Sequence, residues 1–205
     1  MDSYSTIATL GVHEYEDRKS VFIGMARPVS TEEEALGFLA AVKKRYPDAR
    51  HHVYAYVLRE NATARFSDDH EPQGTAGMPV LDTIRKRGLT DVVIVVVRYF
   101  GGTLLGTGGL VHAYTEAAVG ALTAGQIVTY DVYAKVCVTL GYSDYQRFLP
   151  LAESAGFRTE NTDYAESVSV TGSIVKTKCD AFFEKLTDLF GGKDVARVIG
   201  EEYSY

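Results

Sequence analysis

The chain has 205 residues, 46% of them hydrophobic, with 14 Tyr, no Trp and 5 Pro, a globular composition that can bury two modest cores or one large one and is unlike that of a disordered chain. Its formal net charge is -6, and residues 1–129 and 130–205 each carry more acids than bases. That weighs against salt-driven binding to bare nucleic acid and leaves only a local basic patch for such a role.

The opening MDSYSTIATL has neither a basic region nor an apolar run, so no signal peptide is expected. No uncharged apolar run approaches the roughly 18 residues of a membrane helix, and a cytoplasmic protein with no membrane partner is expected. Residues 6–15 read as a first strand, and Ser20 to Ala26 as a second that returns antiparallel after the polar turn at 16–19. Ser30 and Glu33 have capping-box spacing before a helix over about 31–45, which acids open and Lys43-Lys44-Arg45 close. His52 to Arg59 alternates as a strand, with His52, Tyr54, Tyr56 and Leu58 on one face and Val53, Ala55 and Val57 on the other. A polar stretch from 60 to 78 then reads as a long loop, of a length that is usually functional or mobile.

Pro79 opens a helix that runs to about Arg87, where Gly88 stops it. The strand at 91–97 contains Val92 to Val97, an unbroken β-branched run that suits a strand covered on both faces. Next comes a loop with five glycines between Gly101 and Gly109, and then a helix over about 108–123. A boundary near 125–130 divides the chain into an amino domain (1–129) and a carboxyl domain (130–205). In the latter, strand 131–140, helix 142–155, strands 157–164 and 167–175, helix 177–190 and strand 194–199 give the β-α-β-β-α-β order of a ferredoxin-like domain. Pro150 should kink the first of those helices. Cys137 and Cys179 fall in separate elements without CxxC or Cys/His spacing and read as buried thiols. The fold class is α+β, with two α/β sandwich domains.

Two neighbouring loops carry the candidate chemistry. Gly101, Gly102, Gly106, Gly108 and Gly109 can present backbone amides at a helix amino end, with Arg98, Thr103 or Thr107 as added donors, and so seat an anion or phosphate. They equally suit a turn needed only for close packing, and no P-loop or dinucleotide fingerprint is present. Asp68, Asp69 and Glu71 could hold a divalent cation or serve acid/base chemistry. Asp68 or Asp69 could instead accept backbone amides and pair with Arg98 or Arg65 to shape the loop, or the acids could recognise a partner. His112 lies near the anion seat. His51 and His52, adjacent on a strand, face opposite ways and make no metal motif. Ser20 has no nucleophile elbow around it. If the helices ending in Lys43-Lys44-Arg45 and Arg85-Lys86-Arg87 shared one face, their six charges would suit RNA or an acidic protein.

SDDHEPQGTAGMPVL at 67–81, followed by DVVIVVVRYFGGTLLGTGGLVHAY at 91–114, closely resembles the signature of the YigZ/IMPACT family. Lys19-Ser20 with Phe22, and the strand from His52 to Tyr56, look like its earlier motifs. The resemblance covers essentially residues 1–129, and the 131–199 plan looks like the carboxyl domain of the bacterial members. It implies an amino domain similar to the second domain of ribosomal protein S5 and a carboxyl domain similar to the last domain of elongation factor G. Family positions carry over as Asp68, Asp69, Glu71, Pro72, Gly74, Thr75, Ala76, Gly77, Arg98, Tyr99, Phe100, Gly101, Gly102, Gly106, Gly108, Gly109 and Tyr114. His70 stands where the family pattern has glycine and His112 where it has arginine, which removes a bidentate phosphate donor.

The resemblance implies a role in translation control without established chemistry. Eukaryotic members regulate the kinase response to amino-acid starvation by binding its activator, and nucleic-acid binding is the usual proposal for bacterial ones. The expectation is a non-catalytic factor, without cofactor, that binds RNA, the ribosome or a translation-related protein through residues 67–77 and 98–112. The alternative is a small Mg²⁺-dependent enzyme acting on a phosphorylated substrate, with Asp68, Asp69 and Glu71 as its acids.

Overall fold

The computed structural model describes residues 3–205, which fall into two compact units, residues 4–129 and essentially residues 130–205. Met1 and Asp2, which open both the leader reading and the expected amino domain, lie outside the described residues.

The first unit runs β1 (Tyr4–Ile7), β2 (Gly11–Asp17), β3 (Ser20–Pro28), α1 (Glu32–Arg45), β4 (His51–Val57), β5 (Ala64–Ser67), α2 (Gly77–Lys86), β6 (Val92–Tyr99) and α3 (Gly106–Ala124). Five strands form one antiparallel sheet in the order β2-β3-β6-β4-β5. The central strand β6 explains the unbroken apolar run. Val92, Ile94 and Val96 pack with Val80 and Ile84 of α2 and with Leu110 and Ala117 of α3. Val93, Val95 and Val97 pack on the other face with Ala35, Phe38 and Val42 of α1. Each such fully buried side chain contributes about 1.5–3 kcal/mol, so this strand anchors the unit. The alternation of β4 follows the reading, with Val53 and Ala55 toward α2 and α3 and Tyr54 and Tyr56 toward α1.

Several local expectations shift. The first strand breaks at 8–10, because the amides of Ala8 and Thr9 donate to the carbonyls of Gly125 and Gln126. The cap of α1 is Thr31 rather than Ser30: the Glu34 amide donates to Thr31 Oγ1 at 3.2 Å, while Glu34 Oε2 accepts from the Ser30 amide at 2.6 Å. The long loop is not all loop. It contains a short 3-10 turn at Glu60–Ala62 and the edge strand β5, and Glu71, Thr75, Ala76 and Gly77 are buried. Because α1 and α2 lie on opposite faces of the sheet, their two basic ends do not form one surface.

The second unit contains most of β7 (Ile127–Leu140), then α4 (Tyr142–Ala155), β8 (Arg158–Tyr164), β9 (Val168–Val175), α5 (Lys176–Leu189) and β10 (Ala196–Ser204). Its strands are antiparallel in the order β10-β7-β9-β8, the ferredoxin-like arrangement. Phe148, Ala152, Phe182 and Leu186 of the two helices cover Ala134, Val136 and Val138 of β7. The helix α4 continues through Pro150; the proline is exposed, so the carbonyl it leaves unbonded lies on the solvent side. Cys137 is partly and Cys179 fully buried, both as free thiols, and burial raises the Cys179 thiol above its ordinary range.

Candidate functional site

The acidic loop between β5 and α2 is held by its own carboxylates. Asp68 accepts three backbone amides, from Gly74 at 2.9 Å and from Ala76 and Gly77 at 3.1 and 2.8 Å. The last two open α2, whose cap residue Ala76 makes no side-chain bond of its own. Asp68 therefore caps that helix from a distance, and a charge at this end also answers the helix dipole. Asp69 Oδ2 accepts the His52 amide at 2.6 Å, and His51 Nδ1 lies 2.8 Å from the Asp69 carbonyl oxygen. These bonds hold Asp69 and His70 in left-handed backbone, at φ 41 and 70°.

Glu71 is the buried member. Its Oε1 accepts from Arg98 Nη1 at 2.6 Å and from the Tyr114 hydroxyl at 2.7 Å, and His51 Nε2 lies 3.9 Å away. The side chains of Glu71 and Arg98 are 3% and 7% exposed, low enough for the pair to feel a poorly screened interior. Arg98 lies near the rings of Phe22 and Phe100, at 5.3 and 5.8 Å, and its Nε has no partner. Burial, and then the Glu71 charge, push the Tyr114 phenol far above its ordinary range. Tyr114 is therefore a neutral donor to Glu71 at neutral pH.

The glycines divide into different roles. Gly101 rests on the β2–β3 turn: its amide donates to Ser20 Oγ at 3.1 Å, and a side chain there would collide with the Lys19 carbonyl. Gly74, Gly102 and Gly106 have positive φ. Gly106, Gly108 and Gly109 belong to α3 itself, which starts two residues earlier than its apolar stripe implied. Thr75 is buried and donates to the Pro72 carbonyl at 2.6 Å. His112 is exposed, with its ring edge-on to Tyr15 at 5.9 Å. Tyr99 points to the α1 face, away from Arg98; its hydroxyl donates to Asp48 at 3.1 Å, and burial and that carboxylate raise its phenol.

Glu71 is buried, Asp68 and Asp69 are half-buried, and the oxygens of all three are taken up by protein donors, a donor set that does not fit the magnesium site of the alternative reading. Among the described residues no three His, Cys, Asp or Glu side chains gather as a metal cage. The partner of Arg98 is Glu71, not Asp68 or Asp69. Tyr114 and His51 complete the Glu71 cluster; the sequence marks Tyr114 only as a family position and His51 only as a poor metal ligand, although a lone tyrosine in the alanine-rich stripe of α3 is a usable signal.

Residues 18–122 match the Impact N-terminal domain model, and residues 138–193 match a domain of unknown function, DUF1949. The IMPACT family member YvyE of Bacillus subtilis is 35% identical over 194 residues, covering 94% of this chain and 89% of its own. The chain belongs to the IMPACT family. Another IMPACT family member, YigZ of Escherichia coli, is 36% identical over 183 residues, covering 86% of this chain and 88% of its own. A crystal structure of a hypothetical protein aligns over 98% of both chains, with a TM-score of 0.61 and 32% identity. The glycine and acidic loops lie within the matched IMPACT segment. No helix among the described residues is long and apolar enough to cross a membrane.

Proposed function

We propose that this IMPACT family protein is a non-catalytic factor that regulates translation by binding RNA, the ribosome or a translation-related protein, through the surface made by residues 67–77 and 98–112. The observation that carries this reading is the direction in which the two loops turn their side chains. Asp68, Asp69 and Glu71 are engaged by protein donors, Glu71 buried and the two aspartates half-buried. The groups left to solvent are of the contact kind: Leu104 at 82% exposure, Phe100 at 51%, and the exposed His70, His112 and Lys19. A buried ionic frame holds the loops, and an apolar tip with nearby basic or titratable groups faces outward. Such a surface suits recognition of a partner, with aromatic and aliphatic anchors ringed by polar groups. The eukaryotic role in translation control implied by the family resemblance supports the same reading.

The test is co-sedimentation with ribosomes and anisotropy with labelled tRNA at low salt, comparing the natural chain with a Leu104→Asp, Lys19→Glu variant. Both residues are exposed, so the variant keeps the fold. The expected result is binding by the natural chain and at least roughly tenfold loss in the variant. Absence of binding by the natural chain would overturn the RNA and ribosome arms of the reading, and equal binding by both would overturn this surface as the contact.

A further inference from the structure

We propose that the groove between α2 and α3 seats an acidic, amphipathic helical segment of a partner protein. This rests on the binding-factor reading above and names the chemistry of the partner. The groove holds about 360 Å³ and starts at Gly74 and Val111, where the two loops feed into their helices, and Lys86 and Arg87 also line it. Met78, Pro79, Val111 and Val119 give it an apolar wall. Thr83 and Thr115 also line it, but their hydroxyls donate to the carbonyls of Pro79 and Val111 on their own helices. The wall therefore offers little hydrogen bonding and favours aliphatic anchors.

The charge at the end of the groove selects the occupant. Arg85, Lys86 and Arg87 are exposed, and no ion pair among the described residues involves any of them. Asp82 is the only acid lining the groove. In a chain of net charge -6, this is a local basic end on an apolar cleft. Nucleic acid fits it less well. No aromatic lines the groove for base stacking, and the wall is apolar. The ten residues of α2 extend about 15 Å, enough for two to three turns of a partner helix. Such a helix would present apolar residues at i, i+3, i+4 and i+7 to the wall and carboxylates to the basic end.

The probe is a fluorescein-labelled peptide of about 14 residues, leucine at i, i+3, i+4 and i+7 and glutamate elsewhere. It is titrated against the full chain beside a scrambled version, a lysine-for-glutamate version and a single-stranded RNA of similar length. The glutamate peptide should bind best, weaken with added salt, and shift backbone amide signals of α2 and α3. Arg85→Glu, Lys86→Glu, Arg87→Glu together should raise its Kd at least roughly tenfold. Val111→Asp, a single exposed change on the apolar wall, should do the same while leaving the thermal melt in place. Equal binding of the scrambled or lysine peptide, tighter binding of the RNA, or indifference to both variants would overturn the proposal. Ribosome co-sedimentation run in parallel separates the two readings. No peptide binding with ribosome binding intact removes the groove proposal alone; loss of both removes the binding-factor reading as well.

Discussion

Replacing Glu71 by alanine should strongly destabilise the first unit, because it strands a buried guanidinium. Glu71 Oε1 is the acceptor for both Arg98 Nη1 and the Tyr114 hydroxyl, and Arg98 already has a buried Nε without a partner. Removing one member of a buried pair costs about 3–5 kcal/mol, since the remaining charge is neither solvated nor paired. The total stability of a domain is only about 5–15 kcal/mol. With a urea slope of about 2 kcal/mol per molar, the midpoint should fall by roughly 2 M. With no Trp in the chain, the transition is followed by tyrosine near-ultraviolet dichroism and by hydrogen exchange of the β6 amides. Glu71→Gln keeps an acceptor for Tyr114 and should lose less. Glu71→Leu with Arg98→Met removes both charges and should recover most of the loss, as apolar replacements of buried ion pairs do. A loss below about 1 kcal/mol for Glu71→Ala, or a double variant no better than the single one, would refute the view of this cluster as the frame of the loops.

Asp68→Ala should cost about 1–3 kcal/mol, because it frees the amides of Gly74, Ala76 and Gly77; the amides at the start of α2 should show faster hydrogen exchange while those of β9 do not change. Gly101→Ala and Gly108→Ala should act in opposite directions. A side chain at Gly101 meets the Lys19 carbonyl, whereas one at Gly108 meets nothing within 4 Å. The first variant should melt several degrees lower, and the second should gain up to about 1 kcal/mol as glycine leaves the first turn of α3. Gly108→Ala also probes the anion seat: loss of tRNA or ribosome binding without loss of stability would mean that a ligand approaches that backbone. Tyr114 predicts alkaline weakening. Its phenol is held far above the ordinary 10.0, so above that pH the unfolded chain releases a proton that the folded chain keeps. Stability is fully present below pH 10 and falls by up to about 1.4 kcal/mol per pH unit above it; Tyr114→Phe should remove that share of the slope in urea titrations.

The readable features of this chain were those with local causes. The β-branched run from Val92 to Val97 demanded cover on both faces, and α1 on one side with α2 and α3 on the other supply it. Gly88, with φ +64, ends the α2 segment as expected. The order of elements beyond residue 130 announced the ferredoxin-like sheet because each helix and strand there carries its own periodicity. The misplaced ends have local causes too. Thr31 and Ser30 compete for one cap and differ only in how the chain enters α1, and β5 is too short and polar to stand out from a loop.

The two loops mark the limit. From sequence, their acids and glycines had the composition of a cation or phosphate site, and composition is a property of neighbours along the chain. Their chemistry depends on partners that are distant along it. Glu71 meets Arg98, 27 residues away, and Tyr114, 43 residues away; Gly101 meets Ser20 across 81. Those pairings follow from sheet register and from the seating of α3, which place Arg98 under the acidic loop and Tyr114 beneath both. Sequence alone determined the family, the α+β architecture and the location of the loops. Only the tertiary structure decided that Asp68, Asp69 and Glu71 spend their oxygens on protein donors as the frame, while Phe100, Leu104, His70 and His112 face outward. Burial and pairing of charge are set by what packs across the sheet, and no stretch of the chain carries that by itself.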